Sequence, residues 1–228
     1  METMERVREL RARGCTPKVI ARTLGLPLAE VAPLIRAVAA EAESAPVEPE
    51  LIDCWVSRGW SGELIVPPRP DWPDAEAPEG ITGLAGVLIS RRAARRRVSV
   101  CGYLVDTHCL GVKNALGPDV MDEHRLPEFA RRYFDAFQAP PLRAPLELAQ
   151  HLVLGAEQFA RKLGFEPHPD FEQARAHLGE WTGPSPITFG RQGTPFYVDG
   201  PDDDAPAVLR TLDRTVGKGN YHYLVAAG

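Results

Sequence analysis

Residues 83–106 read GLAGVLISRRAARRRVSVCGYLVD, two runs rich in Val, Leu and Ile on either side of an arginine-rich centre. Short apolar runs of this kind, bounded by turn and polar residues, predict two strands joined as a hairpin. Arg91, Arg92, Arg95, Arg96 and Arg97 then form a basic tip. After Asp106 the sequence THCLGVKNALG reads as a turn, and helical spacing follows in LPEFARRYFDAF, LELAQHLVLGAEQFARKLG and DFEQARAHLG, with Gly164 and Gly179 as helix stops. PITFG and PFYVDG predict a second hairpin around Arg191–Thr194. APAVLRTLDRTVG predicts a short helix and YHYLVA a last strand. Strands, then helices, then strands predict an α+β fold rather than a doubly wound sheet.

Upstream of the hairpin, LIDCWVSRGWSGELIV has β character and PPRPDWPDAEAPEG reads as a Pro-rich surface loop. Residues 41–50, EAESAPVEPE, are acidic and punctuated by proline, the composition of a linker. Ahead of them, residues 15–38, CTPKVIARTLGLPLAEVAPLIRAV, place a small residue, Ala21, four positions before Gly25. Glycine there allows the left-handed backbone of a tight turn. Val19, Ile20 and Leu24 on one side, with Val31 and Leu34 on the other, supply inward faces. Thr16 before Pro17 is a suitable N-cap and first helical residue. MERVRELRARG adds a preceding helix that ends at Gly14. The organisation expected is a tri-helical domain over 1–42, an acidic linker over 43–50, and an α+β domain over 51–228.

The spacing of residues 15–38 resembles the helix-turn-helix units of resolvase-like and regulator-like bacterial proteins. That resemblance covers about a tenth of the chain by the count of the quoted stretch, and it implies a second helix presented to the DNA major groove. The phrases YLVDTHCLGVKN, LGFEPHPDF, FGRQGTPFYVDGPDD and GKGNYHYLV are similar to those of uncharacterised bacterial proteins and imply no activity.

Charge narrows the choice of partner. The net charge of −5 gives no whole-chain attraction to nucleic acid, so DNA affinity has to come from local patches. Lys18, Arg22 and Arg36 are the candidates on the N-terminal helices for phosphate contact, with Arg91, Arg92, Arg95, Arg96 and Arg97 as a second anion-binding group. The start of the second helix of the motif, Leu28-Ala29-Glu30 and then Ala32-Pro33, lacks the donors that read base edges. The expected function is a nucleic-acid-associated regulator or accessory protein, whose C-terminal domain senses, dimerises or recruits. DNA, a protein docked on the N-terminal helices, and a second copy of the chain are the partners this reading admits. No cofactor is assigned.

An enzyme is the alternative. Asp106, Thr107, His108 and Cys109 follow an apolar strand, a common position for cleft residues. Cys109 at a helix start would be an activated thiol, with His168 or His222 as base, Asp106, Asp199 or Asn220 to orient it, and His108 beside it in the same candidate catalytic set. Asp106-x-His108 and His168-x-Asp170, with His124 or His222, offer a metal-ligand set instead. Either would make the chain a hydrolase. Cys15, Cys54, Cys101 and Cys109 show no CxxC spacing, which argues against a zinc ribbon or disulfide scaffold and suits a reducing compartment. METMERVREL has no apolar core of a signal peptide, and no run is long enough to span a bilayer, so a cytoplasmic protein without membrane contact is expected.

Overall fold

The computed structural model describes residues 2–44, 48–76 and 83–225, and the chain divides into two compact units, Met1–Glu48 and Pro49–Gly228. The first unit is three packed helices, α1 (Glu2–Ala12), α2 (Pro17–Leu24) and α3 (Leu28–Ser44). Their core is Val7, Ile20, Ala21, Val31 and Val38, with Leu10, Leu24 and Leu34 packed against it. Val19, expected to face inward, is 46% exposed. Gly25 closes α2 in the left-handed region, φ 66°, with its N–H donated to Ala21 O. Any residue with a Cβ would be strained at that φ. Thr16 is extended ahead of Pro17 as expected, yet its hydroxyl makes no cap bond. Pro33 lies inside α3, which runs two residues past the expected end at 42. Positions 43 and 44 of the expected linker are therefore helical, and 45–47 lie outside the described residues.

The second unit is built on a five-stranded antiparallel sheet of β1 (Leu51–Val56), β2 (Leu84–Ala94), β3 (Arg97–Asp106), β4 (Gly111–Asp122) and β5 (Leu142–Arg143), in the order β4-β3-β2-β1-β5. Alternation along the strands assigns the two faces. Val87 and Ile89 of β2, with Cys101, Tyr103 and Val105 of β3, belong to one core; Leu88, Val98 and Val100 belong to the other. The first core is filled by α5 (Leu146–Leu163) and the short α6 (Phe171–Ala174). The second is filled by α4 (Leu126–Phe134) and the 3-10 turn after it. Two glycines of the strands let aromatic rings reach the sheet. A Cβ on Gly86 would sit 2.6 Å from the Phe137 ring, and one on Gly102 would sit 2.6 Å from that of Tyr133.

A smaller layer follows. β6 (Phe196–Val198) and β7 (His222–Leu224) pair in parallel, and α7 (Ala205–Thr215) packs through Leu212 and Ala205 against Tyr197, Leu163 and Cys109. The α+β class is as the sequence predicts, and three of its details differ. THCLGVKNALG is not mainly a turn: only residues 107–110 turn, and β4 begins at Gly111. The turn expected around Arg191–Thr194 forms, with an antiparallel bridge between those two residues, but PITFG and PFYVDG do not pair beyond it. Thr188 exchanges both backbone bonds with Ile65, and Phe196 pairs instead with His222. Finally, the Pro-rich segment read as a surface loop anchors Trp72 in the core, where the indole is 6% exposed.

Candidate functional site

The candidate phosphate contacts of the first unit are all on its surface. Lys18 and Arg22 are four residues apart on α2 and so lie side by side, and both are exposed. Arg36 is exposed on α3, its Nε donating to Ala32 O. Among the described residues none of the three pairs with a carboxylate. The first turns of α3 expose Leu28, Ala29, Glu30 and Pro33. Those side chains offer apolar contact and one acceptor, with no donor for a base edge.

The arginine run divides between fold and surface. Arg91 is only 2% exposed: its Nε donates to His177 O at 2.7 Å and its Nη1 to Pro49 O at 2.8 Å. Arg92 is held by Glu123 at 2.6 Å and by Glu50 at 3.4 Å. That pairing draws the Glu123 carboxyl below its ordinary range. Arg97 Nη2 donates to Val120 O. Arg97 is exposed as well, and Arg95 and Arg96 make the turn itself, with Arg96 at φ 59°. The expectation of five arginines on one anion site is therefore corrected. Alternation in β2 turns Arg91 inward, and Arg92 meets Glu123 where β4 ends.

The Asp106–Cys109 turn is built as a knot. Asp106 Oδ1 accepts from the backbone N–H of His108 at 2.8 Å and of Cys109 at 2.9 Å. Burial pushes the Asp106 carboxyl up, and these backbone donors partly oppose that. Thr107 donates from its hydroxyl and its N–H to Gly83 O, while its own carbonyl accepts from Gly190 N. His108 Nε2 lies 3.1 Å from Gly62 O, and His108 O accepts from Phe196 N. Three separate loops are thereby tied to one turn.

That construction leaves little for catalysis. Cys109 is fully buried among Leu163, Tyr197, Ala205 and Leu212, and burial pushes its thiol far up. It precedes a strand, so no helix N-terminus lowers its pKa. The charged groups that act on it are Asp106, Asp203 and Lys113, with no histidine among them. His168 is engaged locally, its Nδ1 accepting from Asp170 N, and His222 is exposed on β7. Among the described residues no group of three His, Cys, Asp or Glu side chains is placed to hold a metal. The metal set is not assembled among the described residues, and of the nucleophile set Asp106 and His108 are engaged in holding loops while Cys109 is buried without a histidine acting on it.

Two features escaped sequence reasoning. Lys113 of β4 grips both oxygens of Asp203 at 2.8 and 2.9 Å, and Tyr197 donates to Asp199 beside it. This pair fastens the loop ahead of α7 to the main sheet. A half-open groove of about 800 Å³ runs between β1 and α4, floored by Ile52, Trp55, Ala130, Phe134 and Pro141 with the Asp53–Arg143 pair at its edge. Only the spacing of apolar residues in LPEFARRYF hinted at it, and those residues read equally well as ordinary core. No protein-family model, curated protein or solved structure matches this chain. Among the described residues, no helix is long and apolar enough to cross a membrane.

Proposed function

We propose that this protein associates with nucleic acid through its three-helix unit, gripping phosphates with little preference among sequences. The observation that carries the reading is the pair Lys18 and Arg22, adjacent on α2, exposed and without a carboxylate partner, joined by exposed Arg36 on α3. Phosphate contacts set affinity and orientation, while base-edge donors set specificity. The exposed start of α3 has the first kind of chemistry nearby and lacks the second. Arg95 and Arg96, exposed at the turn of the arginine run, supply a second phosphate contact in the same reading.

Fluorescence anisotropy of labelled duplexes tests it, from about 50 to about 200 mM salt, where counterion release makes affinity steep. Binding that weakens with salt and varies little between unrelated sequences is the expected result. Replacing Lys18, Arg22 and Arg36 together by Ala lowers the log–log salt slope by up to about 3, since each phosphate contact contributes about 0.9. No binding at the lowest salt, or an unchanged slope in the triple variant, overturns the proposal. One observation favours a rival, a protein docked on the same helices: Val19 and Leu28 are 46% and 45% exposed. Docking of that kind is lost on replacing Val19 and Leu28 by Ser and survives loss of the three cations.

A further inference from the structure

His151, on α5, lies between two indoles that come from distant parts of the chain. Trp72 reaches it from the segment after β1, ring centres 5.7 Å apart, and Trp181 reaches it from the segment between α6 and β6, at 5.9 Å. Trp181 donates its Nε1–H to His151 Nδ1 at 3.0 Å. An indole N–H can only donate, so Nδ1 carries no proton and the imidazole is neutral, with its hydrogen on Nε2. Protonation places a second donor against the indole N–H, and the bond is lost.

The charged groups around the ring decide whether that matters. From α5, Glu147 Oε1 stands 3.6 Å from Nε2 and favours the cation. From the Trp72 segment, Arg69 holds the same carboxylate at 2.8 Å and lies over the Trp72 ring. From the Trp181 segment the group that faces the ring is the indole itself. A half-exposed carboxylate already shared with an arginine offers a new cation less than is lost when the indole donor faces a second donor. Desolvation, the largest influence on the ring, acts the same way and holds His151 below its ordinary range.

The Trp181 segment is fixed at both ends; between them Trp181 packs at the edge of the first core and residues 182–184 are exposed. Gln150 Nε2 donates to Leu178 O at 2.7 Å and to Glu180 O at 2.8 Å. Ser185 and Phe189 press on Gly155, where an added Cβ would meet either at 2.7 Å. Between these anchors, the indole bond to His151 is the side-chain hydrogen bond of residues 181–184 among the described residues.

We propose that His151 is a pH-operated latch: while neutral it holds Trp181 against α5, and protonation of Nδ1 releases residues 181–184 as a short flap beside Trp72. Release uncovers the face of His151 that Trp181 covers on α5, and the two anchors confine it to that flap. Because the folded ring resists protonation, the closed form is complete above the ordinary histidine range. It is lost as pH falls below that range.

Residue-resolved NMR of the full chain tests this, titrated from about pH 8 to about pH 5 to bracket an ordinary histidine pKa of about 6.5. The expected result is that His151 titrates below that value. The Trp181 Nε1–H signal moves to its solvent-exchanging position with the same midpoint. His151→Gln keeps an acceptor and cannot titrate, so the transition at Trp181 disappears. In Trp181→Phe, which removes the opposing donor, the His151 midpoint rises. An indole signal that stays fixed while His151 titrates, or that moves identically in His151→Gln, overturns the latch. So does a His151 midpoint that stays or falls in Trp181→Phe.

Discussion

Replacing Arg91 by Met separates an arginine of the fold from an arginine of the surface. Methionine keeps most of the buried stem and removes the guanidinium, which bonds His177 O at 2.7 Å and Pro49 O at 2.8 Å. Pro49 is exposed, so water replaces one of those bonds at little cost. The His177 carbonyl sits beside β2, and its loss is the dominant effect. Hydrogen bonds to charged groups contribute about 1.5–3 kcal/mol, and a buried acceptor left unmatched costs about 1–3 kcal/mol. The two figures describe the same lost bond and the transfer of the apolar stem is nearly unchanged, so the cost is about 1.5–3 kcal/mol. In urea, where the slope for a unit of this size is about 2–3 kcal/mol per molar, the midpoint falls by about 0.5–1.5 M. Arg95→Met with Arg96→Met is the control: both side chains are exposed at the tip, and surface changes stay within about 0.5 kcal/mol. Equal midpoints for Arg91→Met and wild type would show that the buried guanidinium does not hold the 177 segment. A loss in the tip variant as large as that of Arg91→Met would refute the division of the run.

Two further outcomes follow from the Asp106–Cys109 turn. Cys109 stays unmodified by an aromatic disulfide reagent in the native protein and reacts on unfolding, whereas half-buried Cys15 reacts natively; native labelling of Cys109, mapped by mass spectrometry, would contradict its burial. Asp106→Asn keeps an acceptor for the His108 and Cys109 N–H groups without a buried charge. Because burial raises the wild-type carboxyl, the native state holds that proton more firmly than the unfolded chain, and ionisation at neutral pH costs stability. The variant is therefore equal to wild type or up to about 1 kcal/mol more stable at neutral pH. The gap closes as pH falls and the wild-type group protonates. Thermal melts across that range check it, and a loss above about 2 kcal/mol at neutral pH would count against the argument.

Local periodicity made much of this fold legible. The Val and Leu alternation of residues 84–106 prescribes strands with two apolar faces, and both faces are covered. Ala21 and Gly25 prescribe a close helix contact and a left-handed stop, and both are present. What escaped was non-local. GVKNALGPDVMD carries glycines and polar residues that locally suggest a turn, yet its alternation suffices once β3 offers an edge with ten residues to pair. Phe196 pairs with His222 rather than with its sequence neighbours because Ile65, more than a hundred residues upstream, already occupies Thr188. No window of a few residues contains that competition.

The same distinction explains why the most enzyme-like residues of the chain are the least available for chemistry. An Asp, a Thr, a His and a Cys at the end of a strand look like a catalytic group, because cleft residues often occur there. A strand end where three loops converge also leaves many backbone N–H and carbonyl groups to satisfy. Asp106 meets two of those N–H groups, Thr107 and His108 meet carbonyls of the loops at 83 and 62, and Cys109 fills the apolar space beneath. The side-chain bonds these residues make run to backbone rather than to one another. The cations of α2 are the opposite case: Lys18 and Arg22 have no partner among the described residues, and an exposed, unmatched charge favours a ligand from solution. Chemistry on this chain is therefore to be sought where polar groups are left over, on α2 and at the Arg95–Arg96 tip, rather than where reactive residue types are most densely written.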